Sequence, residues 1–145
     1  PGRTYGEFEA AMEECGLKAS ACIVWDKKSI GLGNANYRPQ HEFIFYCKGG
    51  AWYGDKAQPD VWSMSRGATG QYVHPTQKPV RLYERILASF AKPGMRVLDT
   101  HLGSGSHAIA AHYYGVHLTA CEIDPEYYEK AVARIKQETA QQTFL

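Results

Sequence analysis

Two carboxylates and two glycines carry the chemistry that is legible in this chain. The segment VLDTHLGSGSHAIAA (97–111) puts Asp99 at the end of an apolar run and Gly103 and Gly105 in a turn. Small, helix-compatible residues begin at about Ser106. Glu122 follows seventeen residues after Gly105, at the end of the next apolar run. Glycines let a backbone approach a ligand closely, and a helix N-terminus presents unpaired N–H groups. A carboxylate at a strand tip can accept two hydrogen bonds from a ribose diol. The four residues together predict a nucleoside-binding crevice at the carboxyl ends of two neighbouring parallel strands.

Three ligand classes compete for such a crevice. A triphosphate loop needs Lys after its last glycine, and here Ser106 and His107 follow. A dinucleotide site wants G-x-G-x-x-G/A, which Gly103, Gly105 and Ala108 satisfy. That site does not call for an acid such as Asp99 beside the loop, because a pyrophosphate would be repelled. A carboxylate there suits a cationic amine or sulfonium. This favours S-adenosylmethionine over NAD, with an NAD-type oxidoreductase fragment as the alternative. A Gly-rich turn that binds nothing is the plain structural reading.

The elements that must hold these groups follow from periodicity. Tyr83, Ile86, Leu87 and Phe90 mark a helix over about 78–91, stopped by Pro93-Gly94. Residues 96–99 and 116–121 read as buried strands, with a small-residue helix between them and a last helix marked by Tyr128, Ala131, Val132 and Ile135. Alternating strands and helices with short links predict a parallel sheet. Upstream, Phe8, Ala11, Met12 and Cys15 predict an amphipathic helix over 5–15, capped by Gly16. ASACIVW (19–25) and EFIFYC (42–47) predict strands, and Gly49-Gly50 predicts a turn that pairs the second of them with 51–53. Residues 54–73 read as irregular, apart from a short strand at 61–64.

Composition narrows the classes further. The 145 residues are 44% apolar and 21% charged, the balance of a globular domain. No apolar run approaches the roughly 20 residues of a membrane span, and no signal peptide is expected. Sixteen basic and fifteen acidic residues give a net charge of +1, so nucleic-acid contact needs local patches. Such a patch is predicted over 27–66, where Lys27, Lys28, Arg38, Lys48, Lys56 and Arg66 interleave with Tyr37, Trp52, Tyr53 and Trp62. We take Lys27, Lys28, Arg38, Lys56 and Arg66 as the candidate DNA contacts. A solvated loop face with its aromatics in the core is the competing reading. Cys15, Cys22, Cys47 and Cys121 form no C-x-x-C pair and read as free thiols. His101, His107, His112 and His117 straddle a loop, a helix and a strand, so no metal site is expected.

The motifs resemble one family. HPTQKPVRLYERIL, GMRVLDTHLGSGS and ACEIDPEYYEKAVARI, in that order, are similar to the C-terminal half of the N4-cytosine/N6-adenine DNA methyltransferases of the β arrangement. HPTQKP (74–79) resembles their motif X, DTHLGSG (99–105) motif I and CEID (121–124) motif II. IVWDKKSIGLGNANYRPQHEFIFYCKGG resembles, more weakly, the strands before their recognition region. The family often has D-P-F-x-G-S-G, and here Thr100 and His101 replace Pro-Phe.

The resemblance implies an α/β fold: a Rossmann-like three-layer methyltransferase sandwich, mostly parallel with an antiparallel hairpin and incomplete at its N-terminus. It implies one domain over 1–145. Residues 1–53 would precede the recognition region, 54–73 would be its loop-rich remnant, and 74–145 would bind cofactor. By resemblance Asp99 would hold the methionine amino end, Gly103 and Gly105 would let the loop approach, and Glu122 would take the ribose hydroxyls. Thr76 and Lys78 would close the methionine side, with Thr100, Leu102 and Ser104 completing the cofactor loop. The substrate would be an exocyclic amine of adenine or cytosine in double-stranded DNA, in the cytoplasm of a bacterium or a phage-infected cell.

The family directs its target amine with a D/N/S-P-P-Y/F/W loop. The seven prolines here are at 1, 39, 59, 75, 79, 93 and 125, with none adjacent. We therefore expect the catalytic loop upstream of Pro1, and no catalytic residue is assigned. Asp124-Pro125-Glu126-Tyr127 mimics the motif but reads as a helix start, with Asp124 as N-cap. A non-catalytic DNA-binding module on a methyltransferase fold remains a further alternative. The tail Gln141-Gln142-Thr143-Phe144-Leu145 resembles peptides that dock on bacterial sliding clamps, against the plain reading of a frayed terminus.

Overall fold

A computed structural model describes residues 4–67 and 72–140; the tail at 141–145 lies outside them. The chain divides into two compact units. The first comprises residues up to Gly50 together with Lys56–Arg66, and the second Ala51–Asp55 together with the chain from Gly67 onward.

The first unit is a three-stranded sheet. β1 (Ala19–Asp26) lies at its centre, antiparallel to β2 (His41–Cys47) and parallel to β3 (Val61–Ser63). Aromatic and β-branched side chains suit this pleated surface. Trp25 and Trp62 sit side by side in the β1–β3 register and are both buried. The indole of Trp25 donates to the Met64 carbonyl at 2.7 Å, and that of Trp62 to Pro59 at 3.0 Å, so neither ring leaves a polar edge unsatisfied. At the tip of β1 the Asp26 carboxylate accepts from the Gln40 amide, the Lys28 N–H and the Ser63 hydroxyl. These bonds, the Gln40 one foremost, hold its pKa well below the usual carboxylate range.

The first helix, α1 (Tyr5–Glu14), forms where its periodicity predicts, with Gly16 after it at φ +72°, but it buries none of its residues, and Phe8 is 60% exposed. Its start packs through Tyr5 against Phe43 and Phe45. The hairpin expected between β2 and 51–53 does not form: residues 51–53 are not in a strand, and β2 pairs with β1. In the second unit the Tyr53 N–H instead donates to the Ser89 carbonyl, and Trp52 packs edge-on against Phe90.

The second unit follows its periodicity closely: α2 (Val80–Phe90), β4 (Arg96–Asp99), α3 (Ser106–Tyr114), β5 (His117–Ala120) and α4 (Pro125–Ala140). β4 and β5 pair in parallel, Arg96 opposite His117 and Asp99 opposite Ala120. The core gathers Leu87, Ala91, Ala110, Ala111 and Val116, with Val97, Tyr83 and Leu118 packed around it. Small residues on α3 let helix and sheet approach closely. β4 departs from the buried strand expected of it: Val97 faces the core, while Leu98 on the other face is 65% exposed. Asp124 caps α4 as its spacing predicts, its carboxylate accepting from the Glu126 and Tyr127 N–H groups at 2.9 and 3.1 Å. No helix among the described residues is long and apolar enough to cross a membrane.

Candidate functional site

The strand tips of the second unit are laced together beyond the last ladder bonds. The Cys121 N–H donates to the Asp99 carbonyl, and the Leu102 N–H returns to the Cys121 carbonyl. This fixes the loop after β4 against the chain leaving β5. Glu122 completes the lock. One carboxylate oxygen accepts from the Gly103 N–H at 2.8 Å and the other from the Asp124 N–H at 3.1 Å. Those two backbone donors, Asp124 first, lower the Glu122 pKa, so the group is an anion at neutral pH.

The lock forms one wall of a cleft of about 310 Å³ in which Glu122, Leu102, Gly103 and Ser104 face Thr76 and Lys78. All six were singled out from the sequence, and the fold brings together three segments, 76–78, 102–104 and 122, that lie well apart in the chain. His74, Tyr83 and His101 line the same cleft and were not predicted. His74 heads the HPTQKP segment, where its ring pairs with the Thr76 hydroxyl at 3.0 Å and lies 4.3 Å from the ring of Tyr127. Tyr83 gave no such signal, since its helical spacing reads as core.

Asp99, Thr100 and Gly105 do not line this cleft. Asp99 has other partners: one oxygen accepts from the His101 N–H at 2.9 Å, and the other pairs with His107 Nδ1 at 3.0 Å. The imidazole is held in turn by Tyr83, stacked 4.7 Å away. The His107 hydrogen bond is the main reason the Asp99 pKa is lowered. Thr100 is exposed and pairs with His101. Gly105 is packed tightly against α4. It has φ +78°, and a Cβ there would lie 2.9 Å from the Ile135 side chain and 3.3 Å from the Ala131 carbonyl. At Gly103, with φ +54°, a Cβ would meet only the His101 carbonyl, at 3.9 Å.

The start of α3 is closed by a residue the sequence gave no reason to choose. The Arg134 guanidinium donates to the Ser104 carbonyl and the Ser106 hydroxyl, both at 2.9 Å. Ser106 donates onward to the Lys78 carbonyl at 2.6 Å, tying the HPTQKP segment to the glycine loop. Burial lowers the Arg134 pKa without removing its charge.

The Asp99–His107 pair has a testable consequence. A carboxylate with a lowered folded pKa adds stability above its unfolded pKa, near 4, and loses it as pH falls through the folded value. The melting temperatures of the parent and of Asp99→Asn are therefore expected to differ at neutral pH and to converge below about pH 4. A difference that persists unchanged to low pH would contradict this.

The candidate DNA contacts all lie in the first unit. Arg38 and Lys56 are exposed, and Arg66 is half-buried. Lys28 approaches Asp26 at 3.2 Å while its side chain stays 57% exposed. Lys27 is a correction: it is buried, with its ammonium 3.4 Å from Glu42, and is not part of an open basic surface. Trp62 is likewise in the core.

Comparison with known proteins places this arrangement. Residues 3–133 match the family model of the N6/N4 DNA methylases. The chain belongs to this family. It is 30% identical over 131 residues to the methylase-named protein YubD of Escherichia coli (strain K12), covering 88% of this chain and 56% of that protein. It is 35% identical over 80 residues to the type II methyltransferase M1.MboII of Moraxella bovis, covering 50% of this chain and 31% of that one. This methylase chain therefore spans about half the length of YubD and less of M1.MboII. Among solved structures, the complex of M1.HpyAVI with SAM superposes with a TM-score of 0.76 at 23% identity, over 96% of this chain and 71% of that one. The cytosine-N4-specific PvuII DNA methyltransferase superposes with a TM-score of 0.72 at 14% identity, over 94% and 60%. These likenesses establish the fold as the Rossmann-like methyltransferase architecture, of which this chain holds an incomplete part.

Proposed function

We propose that this methylase chain is the cofactor-binding portion of an S-adenosylmethionine-dependent DNA methyltransferase acting on adenine N6 or cytosine N4. The observation that carries the reading is the Glu122 carboxylate, clamped at the tip of β5 and facing the same cleft as Lys78 and Thr76. Each Glu122 oxygen takes one backbone N–H and keeps a lone pair for a ribose hydroxyl. Lys78 and Thr76 line the same cleft, and their ammonium and hydroxyl donors suit the methionine carboxylate. Open space beside Gly103 admits the ligand against the loop backbone. These groups fit the cofactor, which when bound would supply an electrophilic methyl group.

Asp99 has a different part from the one its position implies. Asp99 does not line the cleft, and we assign it to bracing the loop through His101 and His107 and to contributing negative potential. We assign the two units to one methyltransferase domain, with 54–73 as the remnant of a recognition region. A cytoplasmic enzyme of a restriction-modification pair is the setting this reading implies. The sliding clamp is a partner proposed from the resemblance of the tail alone.

The test is calorimetric titration of the 145-residue chain with S-adenosylhomocysteine and, separately, with NAD. Saturable binding of the first and none of the second is expected. Binding of NAD alone would overturn the reading in favour of an oxidoreductase. Because no Pro-Pro loop is present to direct a target amine, the same chain is expected to transfer no methyl group to duplex DNA. Measured turnover would refute that part.

A further inference from the structure

The connection from β1 to β2 is built unlike a solvated loop. Its stem is closed twice: the Lys27 N–H donates to the Gln40 carbonyl, and the Gly31 N–H to the Pro39 carbonyl, both at 2.9 Å. Gly31 suits this close approach, since a Cβ would lie 3.2 Å from the Pro39 carbonyl and crowd it. Asp26 grips both sides of the stem through Gln40 and Lys28. The tip beyond this closure exposes two large apolar side chains, Leu32 at 100% and Tyr37 at 96%, and Ile30 on the stem is 51% exposed.

Single exposed apolar residues need no explanation, but three on one braced loop ask for a partner. Charge indicates which kind. No acidic residue occurs between Lys27 and His41, Arg38 is exposed next to Tyr37, and Lys28 keeps 57% of its side chain open at the stem. An apolar, aromatic tip with cations at its base complements a duplex, whose phosphates flank an apolar stack of bases.

We propose that the 27–40 loop is a duplex-DNA probe, in which Leu32 and Tyr37 enter or stack on a base step while Arg38 and Lys28 hold the adjacent phosphates. This rests on the DNA methyltransferase reading and gives it a contact surface. The structure thereby separates the aromatics of the basic region. Trp62 belongs to the core and Tyr37 to the surface. The physical role is to help offset the cost of opening a base step, which an enzyme acting on a base inside a duplex must meet.

The experiment uses the whole 145-residue chain and a mixed-sequence DNA duplex carrying 2-aminopurine, read by anisotropy and by fluorescence at several salt concentrations. The parent is expected to bind and to raise the 2-aminopurine signal. The Leu32→Ala/Tyr37→Ala double variant is expected to bind about 10- to 100-fold more weakly and to lose the fluorescence rise, with an unchanged salt slope. Tyr37→Trp should keep both. Arg38→Ala and Lys28→Ala should each flatten the slope of log K against log salt by about 0.9. All four side chains are exposed, Leu32, Tyr37 and Arg38 beyond the Gly31–Pro39 closure and Lys28 on the stem, so equal melting temperatures verify the fold. Parental affinity and fluorescence in the double variant would overturn the inference, as would failure of the parent to bind the duplex, or saturable docking of the tip on a protein instead. A parallel titration with S-adenosylhomocysteine separates the two levels. If it binds while the loop variants change nothing, only the probe falls. If it does not bind, the methyltransferase reading falls.

Discussion

Replacing Gly105 by alanine is expected to destabilise the second unit by about 2–4 kcal/mol and to lower its melting temperature by about 5–15 °C. Two costs add. Gly105 sits at φ +78°, in the left-handed region where a side chain is strained. Its new Cβ would also fall 2.9 Å from Ile135 Cγ1 and Cδ1 and 3.3 Å from the Ala131 carbonyl. The Ile135 tip can give way, but the carbonyl belongs to α4 and cannot move alone. The steric part is separable. Adding Ile135→Ala should recover some of the loss, and the double-mutant cycle measures how much. Gly103→Ala is the control, because its Cβ meets only one atom, at 3.9 Å. A Gly105→Ala protein as stable as the parent would show that α4 does not rest on this turn.

Glu122→Gln is expected to weaken S-adenosylhomocysteine binding by about 10- to 100-fold. The substitution keeps the volume of the side chain but not its valence. The carboxylate offers an oxygen to Gly103 and another to Asp124, whereas the amide offers one oxygen and one NH2. One backbone N–H would then face another donor, and the glycine loop would lose the tie that shapes the cleft. The charge and the second acceptor for a ribose diol would go with it. Calorimetry on the variant, with thermal melting to confirm that it folds, checks the prediction. Unaltered affinity would mean that Glu122 only braces the loop, and would remove the observation on which the cofactor assignment stands.

The strand–loop–helix–strand order of the second unit, its glycine turn and the acid at 122 were all legible in the amino-acid order. Each is written in local chemistry: apolar period, helix-stopping Pro93-Gly94, a capping Asp124 and two glycines at positive φ. The convergence of Thr76 and Lys78 on Gly103 and Glu122 was legible only by resemblance, since no periodicity relates segments so far apart. In the first unit the same local rules placed β1 and β2 well. They mispaired 51–53, because a Gly-Gly turn is compatible with a hairpin whether or not the residues after it extend into a strand.

What the tertiary structure alone decided is which partner each functional group spends its bonds on. The Asp99 carboxylate is bound to His107, and Gly105 is packed tightly against α4, neither of which the order of residues announces. Lys27 looked like a phosphate contact and is buried against Glu42. Arg134 looked like any helix-surface cation and closes the start of α3 from 28 to 30 residues away. The physical reason is common to all four. Propensity and period report on neighbours within a turn or two of the chain, whereas the allocation of a carboxylate, a guanidinium or an empty volume is settled by whichever groups packing brings within about 3 Å.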